Sequence, residues 1–438
     1  MQKRVLVLMT VGASLLTTLS GPAKGAPLPY KGEQMISGGH TQTAAESPAA
    51  EEFRKGIAAL LNSNSKAAEQ AFQNAISIDP TLAGPLLGLA DVAMSRNQPK
   101  EAEKWLAAAS KAQPNSDAVM LGWGRYYRAR NDHAKAEQAF KQAISTRPSA
   151  TAYVELGDIY LSKMNKRQEA LKAYGKAVAL APESAAMRYS YATGLAANGQ
   201  VAQAVKEFEQ VARLSPKDAE PWRAIGRLHA EQHRYAEAAA AMDQGLKLQP
   251  DYVPLLADRG DVAATQGKMN EVIRYYKEAA RHAPGAASLQ TKLGLAYQLS
   301  RRWSDAETAY LQAIKADPKA ADAYNNLAWL ALNQGKRLDD ALKWADKAVQ
   351  LTPGNPSYLD TLGWVYRKRG DLAKAAETLR KASSIQPPLA DVHYHLGEVY
   401  AAQGKNADAI SALRRALQIS PTFPEAENAR KRLEALGG

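Results

Sequence analysis

Prolines recur along this chain with a fixed stride. Pro80, Pro114, Pro148, Pro182, Pro216, Pro250, Pro284 and Pro318 are each 34 residues apart; Pro353 comes one residue late, and Pro387 and Pro421 resume the step. These eleven are half of the 22 prolines in the chain, so chance phasing is excluded. A strict internal period of this length means stacked copies of one supersecondary unit, each burying its apolar face against the next. It displaces the two or three globular domains that 438 residues would otherwise suggest.

Other positions keep the same phase. With each proline at position 32, position 8 is always small: Gly56, Ala90, Gly124, Gly157, Ala192, Gly226, Gly260, Gly294, Ala328, Gly363 and Gly397. Position 20 is alanine except at Val272, and position 27 is mostly alanine, as at Ala75, Ala143, Ala313 and Ala416. Position 24 is usually large, as at Phe72, Leu106, Phe140, Tyr174, Phe208, Tyr276 and Tyr310. Small residues at 8, 20 and 27 let two helices approach, and large ones at 4, 7, 11 and 24 fill the space between them. Position 15 is Gly199, Gly267, Gly335, Gly370 or Gly404, or else Asn97 or Asn131. These residues tolerate the left-handed backbone that ends a helix, and the proline at 32 stops the second one. The ratio of good helix formers and the 7% aromatic content agree with an all-helical chain.

This pattern resembles the tetratricopeptide repeat in both length and residue signature. Trp222-Arg223-Ala224-Ile225-Gly226 and Leu359-Asp360-Thr361-Leu362-Gly363-Trp364-Val365-Tyr366 are good examples. The resemblance implies an all-α fold: an α-solenoid of about eleven helix-turn-helix units in a right-handed superhelix, covering residues 49–423. Residues 424–438 read as a C-terminal capping helix with a charged face. The fourth unit, around Lys163–Arg167, has one extra residue in its inner turn and one fewer before it, the ninth, around Gly335–Asp340, has one extra, and both predict local bulges. The seventh departs most, with Arg259 at a usually apolar position and Val272 in place of alanine, and is the expected flexible joint.

The N-terminus carries a different signal. Lys3 and Arg4 precede an apolar run of 15 residues, Val5 to Leu19, broken by Ser20-Gly21-Pro22. A membrane-spanning helix needs about 20 apolar residues, so the run reads as a secretory signal peptide over residues 1–25, cleaved near Gly25. Retention as an anchor is the alternative. Residues 26–48 are polar and rich in Gly, Pro, Ser and Thr, and read as a flexible leader. The expected location is therefore periplasmic or secreted, with no membrane span after cleavage.

The absence of cysteine excludes disulfides and cysteine-based zinc sites. His229-Ala230-Glu231-Gln232-His233 misplaces the glutamate that a zinc-protease helix needs directly after its first histidine. No phosphate loop or serine elbow appears, so no enzyme, metal or cofactor is expected. The formal charge of +12 is diffuse and favours anionic partners, though not nucleic acid in an exported protein.

In the family, first-helix positions 2, 5, 6, 9, 12 and 13 face a concave groove. Transferred to this chain, the rule places Arg125, Arg128, Arg223 and Arg227 there in early and middle units. Late units add Asn325, Asn326, Trp329, Trp364, Arg367, Lys368 and Tyr394. Exposed Trp and Arg are frequent binding hot spots. The expected function is a non-catalytic envelope scaffold that binds extended segments of partner proteins. The segment from Ala323 to Asp371 resembles repeat proteins of bacterial polysaccharide-export systems. The alternative is direct binding of an anionic exopolysaccharide in a basic, Trp-bearing groove.

Overall fold

The structure, a computed structural model, describes residues 47–438; the signal-peptide reading and nearly all of the leader lie outside them. Among the described residues there are 23 α-helices and no strand. Eleven consecutive pairs are α1 (Pro48–Leu61) with α2 (Ser65–Ile78), α3 (Ala83–Ser95) with α4 (Pro99–Ala112), α5 (Asp117–Ala129) with α6 (His133–Thr146), and α7 (Ala150–Ser162) with α8 (Arg167–Leu180). Next come α9 (Ala185–Ala197) with α10 (Val201–Leu214), α11 (Glu220–Glu231) with α12 (Tyr235–Leu248), α13 (Val253–Thr265) with α14 (Met269–His282), and α15 (Ala287–Leu299) with α16 (Trp303–Ala316). The last are α17 (Ala321–Gln334) with α18 (Leu338–Leu351), α19 (Pro356–Lys368) with α20 (Leu372–Ser383), and α21 (Ala390–Ala402) with α22 (Asn406–Ile419); α23 (Ala426–Ala435) follows alone. The described residues form two compact units, residues 47–228 and residues 229–438.

The phased prolines do what their chemistry dictates. Ten of the eleven second helices end two residues before one, as α4 does at Ala112 before Pro114. Side chains close several helix starts: Ser47 accepts from the Ala50 N–H at 3.1 Å, Asp132 from Lys135 at 3.2 Å and Asp371 from Lys374 at 3.0 Å.

Every inner turn contains a left-handed residue. Glycine or asparagine fills that place at Asn97, Asn131, Gly199, Gly267, Gly370 and Gly404, as expected. Ser63, His233 and Arg301 take it too, at φ of 57°, 59° and 58°, although their residue types do not announce it. The turn after α7 has four residues, 163–166, instead of the usual three, and Asn165 is its left-handed residue. In the ninth repeat the extra residue lengthens α17 to 14 residues, and both Gly335 and Arg337 turn left-handed.

Within a repeat the helices are pressed together at one point. A Cβ on Gly124 would lie 2.3 Å from Phe140 Cε1; on Gly157, 2.5 Å from Tyr174 Cε1; on Gly294, 2.6 Å from Tyr310 Cε1. The large residue at position 24 therefore occupies the room a side chain at position 8 would need. Tyrosines there are also pinned by their hydroxyls: Tyr174 donates to Asp158 Oδ1 at 2.7 Å, Tyr276 to Asp261 Oδ1 at 2.5 Å and Tyr310 to Gln298 Oε1 at 3.0 Å.

The seventh repeat is not loosened by its odd residues. Arg259 is buried, pairs with Asp243 at 2.9 Å and Glu271 at 3.0 Å, and lies over the Tyr275 ring; Val272 is fully buried. The expected joint is a tied position. At the C-terminus Ala426, Ala429 and Leu433 of α23 cover Tyr394, Leu413, Ala416 and Phe423.

Candidate binding face

Within each unit, successive first helices touch one another, as α3 does α5 and α19 does α21, while successive second helices meet weakly or not at all. The first helices thus lie on the inner side of each stack. Positions 2, 5, 6, 9, 12 and 13 fall on one stripe of each first helix, which carries partly exposed residues such as Arg125, Trp329 and Trp364 and buried ones such as Arg227 and Tyr394.

Along this face one contact recurs: position 9 of a repeat meets position 6 of the next. Arg125 donates to Glu155 Oε1 at 2.7 Å. Asp261 receives Lys292 Nζ at 2.7 Å. Trp364 stacks on His395, with ring centroids 4.1 Å apart and planes at 26°. A charge pair, its reverse and an aromatic stack thus fill equivalent places.

In the first unit, Arg125 and Arg128 both bind Glu155, one on each oxygen. Burial resists charge on Glu155, but the two guanidinium groups hold its carboxyl below the usual carboxylate range. Burial likewise works against the Arg125 charge, and Glu155 with Asp91 outweighs it, so its pKa rises. Neighbouring Asp158 is pushed up to about 6 by burial and by the Glu155 charge. Arg223 pairs with Glu220 at 3.1 Å, and Arg227 is buried. The early arginines expected to form a basic groove are therefore held by the protein's own carboxylates or folded inside it.

The second unit differs. Trp329 and Trp364 are half-buried, packed against the core that includes Ala328, Ala345 and Val365. His395 is stacked on Trp364, and its ring centroid lies 6.2 Å from that of Trp329. Its Nδ1 meets Asp360 Oδ1 at 2.7 Å, and both groups are only 2% exposed. Arg367 sits over the Trp364 ring at 4.4 Å and pairs with Glu398 at 3.1 Å. Glu398 also meets Arg432 of α23 at 3.0 Å. Trp364 is thus held by His395 and Arg367, and both tryptophans keep part of their surface open.

Asn325 and Asn326 stand beside this pair, half-buried, with Asn325 Nδ2 donating to Asn326 Oδ1 at 3.4 Å. The Asn325 Oδ1 is buried without a hydrogen-bond partner among the described residues. Lys368 is exposed at the end of α19. Tyr394, expected in the groove, is instead buried: it packs on Phe423 at 5.8 Å because the cap helix closes over the last repeat. Its neighbour His395 stands at position 6 of the same stripe but is not among the residues the sequence singles out, and its partners lie 31 and 35 residues away.

No group of three or more His, Asp or Glu side chains among the described residues could hold a metal ion. Among them, no helix is long and apolar enough to cross a membrane.

Paired helices, a 34-residue stride, small residues at 8, 20 and 27 and a proline stop define one class of repeat protein. Two sequence profiles described as tetratricopeptide repeat match, one at residues 44–121, 161–228 and 195–259, the other at residues 121–163 and 291–356. The chain belongs to the tetratricopeptide-repeat family. A profile of the anaphase-promoting complex, cyclosome, subunit 3 also matches residues 334–416. A TPR repeat-containing protein of Pseudomonas aeruginosa is 26% identical over 155 residues, covering 35% of this chain and 26% of that protein. Human tetratricopeptide repeat protein 7B is 29% identical over 122 residues, covering 26% of this chain and 14% of that protein. The chain thus spans about a quarter or less of the length of these relatives. Among solved structures, the Cut9–Hcn1 hetero-tetramer of the APC/C has 15% identity and a TM-score of 0.46, covering 90% of this chain and 97% of that one. A tetratricopeptide repeat protein of Parabacteroides merdae has 16% identity and a TM-score of 0.46, covering 58% of this chain and 99% of that one.

Proposed function

We propose that this protein is an exported, non-catalytic scaffold of the bacterial cell envelope that binds extended segments of partner proteins along its first-helix face. The observation that carries this reading is the Trp329–Trp364 pair. Two large rings on successive repeats, both packed on the core and partly open, with Trp364 also held by His395 and Arg367, offer apolar contact area with little left to order on binding. The free Asn325 acceptor and the exposed Lys368 add polar contacts for a peptide backbone and an acidic side chain. A role in assembling an export or polysaccharide-secretion machine follows from the signal-peptide reading joined to the repeat array.

The exopolysaccharide reading has less support, because Arg125, Arg128, Arg223 and Arg367 already have carboxylate partners. An acidic polymer would have to compete for them.

The test is a crosslinking pull-down from native envelopes that compares the wild type with the double variant Trp329→Ala, Trp364→Ala. Loss of a specific protein partner supports the proposal. Capture of the same partners by both forms, or recovery of the native protein wholly in the cytosol, refutes it. Binding that collapses with salt would favour an acidic polymer, since exposed charges are screened over about 8 Å at physiological ionic strength.

A further inference from the structure

The second unit carries another recess, on the side away from the first-helix face. It is a cleft of about 780 Å³ between the second helices α14 and α16, floored by α15. Leu293 and Tyr297 of α15, with Leu256 and Ala309, make its base apolar.

Within that apolar base stands a polar group with nothing to bind. Gln290 lines the cleft, is 7% exposed, and its Oε1 is buried without a hydrogen-bond partner among the described residues. A buried amide oxygen left unmatched is costly, and a native structure that keeps one usually has a donor for it.

The charges at the rim are uneven. Glu278 is engaged by Arg281 at 2.6 Å and by His282 at 3.1 Å, and Asp305 by Arg302 at 2.7 Å. Arg274 and Lys277 are exposed and have no carboxylate within ion-pair distance among the described residues. Arg274 is steadied over the Tyr275 ring at 4.5 Å. The cleft thus presents two uncompensated cations, an apolar base and one buried acceptor.

We propose that this cleft is a second docking site, which takes a short extended peptide segment with acidic and aliphatic side chains. Its carboxylates meet Arg274 and Lys277, an aliphatic side chain covers Leu293 and Ala309, and a main-chain N–H donates to Gln290 Oε1. A peptide is favoured over a sugar polymer because it brings all three groups at once: anion, hydrocarbon and amide donor. The site does not depend on the first-helix face.

The probe is a fluorescein-labelled peptide of alternating aspartate and leucine, titrated into the full chain by anisotropy, with an asparagine–leucine peptide and polygalacturonate as comparisons. The wild type should bind the acidic peptide at least tenfold more tightly than the asparagine peptide. Arg274→Ala with Lys277→Ala, both exposed and safe for folding, should weaken it tenfold or more. Gln290→Leu should weaken it severalfold with an unchanged circular dichroism spectrum. Trp329→Ala with Trp364→Ala should leave it unchanged, which separates this site from the first-helix face. No binding of the acidic peptide, equal binding of the asparagine peptide, full retention in the Arg274/Lys277 variant, or binding of polygalacturonate alone would each overturn the proposal.

Discussion

Gly294→Ala tests how this stack sets its internal spacing. The added Cβ would lie 2.6 Å from Tyr310 Cε1 and 2.7 Å from Cδ1. Carbon atoms in contact sit about 3.5–4.0 Å apart, so ring or helix must yield by roughly 1 Å. The ring cannot turn aside, because Tyr310 is fully buried and its hydroxyl is tied to Gln298. Overpacking of this kind costs about 1–3 kcal/mol. Tyr310→Leu alone leaves a void and a stranded Gln298 acceptor, costing on the order of 2–4 kcal/mol. Combined, the alanine methyl fills part of that void, so the double variant should recover about 1–2 kcal/mol relative to the sum of the two. Repeat 2 already uses this pairing, Ala90 with Leu106. Repeat 5 pairs Ala192 with Phe208, a ring that no hydroxyl pins. Repeat arrays need not unfold in one step, so the reading should come from hydrogen exchange of amides in residues 287–316, supported by urea denaturation. Additivity within about 0.5 kcal/mol, or a neutral Gly294→Ala, would refute the reasoning.

Two further substitutions follow from the structure. Arg301 is left-handed at φ 58°, and its exposed side chain makes no hydrogen bond or ion pair among the described residues. Arg301→Gly should raise stability by about 0.5–1 kcal/mol, since relief of left-handed strain exceeds the added chain entropy; an unchanged or lower urea midpoint contradicts this. Asp158 holds its proton in the fold up to about pH 6, against a reference near 3.8, so its contribution to stability falls as pH rises from about 4 to 6. Asp158→Asn, which still offers Tyr174 an acceptor, should remove that fall; parallel urea midpoints for both proteins at pH 4, 5, 6 and 7 would show the assignment to be mistaken.

The fold was legible because its signals are local and repeated. Ten of the eleven prolines lie two residues past the helix they follow, and the small residue at position 8 usually faces a large one at 24, so many copies vote on one geometry. The turns were half legible. Asn97 and Gly199 advertise a left-handed backbone, whereas His233 and Arg301 are forced into it by the helices on either side, which their types do not reveal. The binding face was harder still. A stripe rule can say that Arg125 and Arg367 point inward, but not that Glu155 and Glu398, in the following repeats, are waiting for them. Tyr394 obeys the stripe and is buried all the same, because what covers it is the cap helix and not another repeat. His395 became visible only once helices 31 residues apart were side by side.

The cap helix α23 also has a meaning for assembly. Like units that stack head to tail form a contact that does not close on itself, and such a contact can propagate into an open filament. The inner side of α23, through Ala426, Ala429 and Leu433, occupies the face where a further copy would add. Its outer side turns Glu427, Arg430, Lys431 and Glu434 to solvent, where stacking would bury charge without apolar gain. A further copy could add here only by burying those charges or by displacing α23.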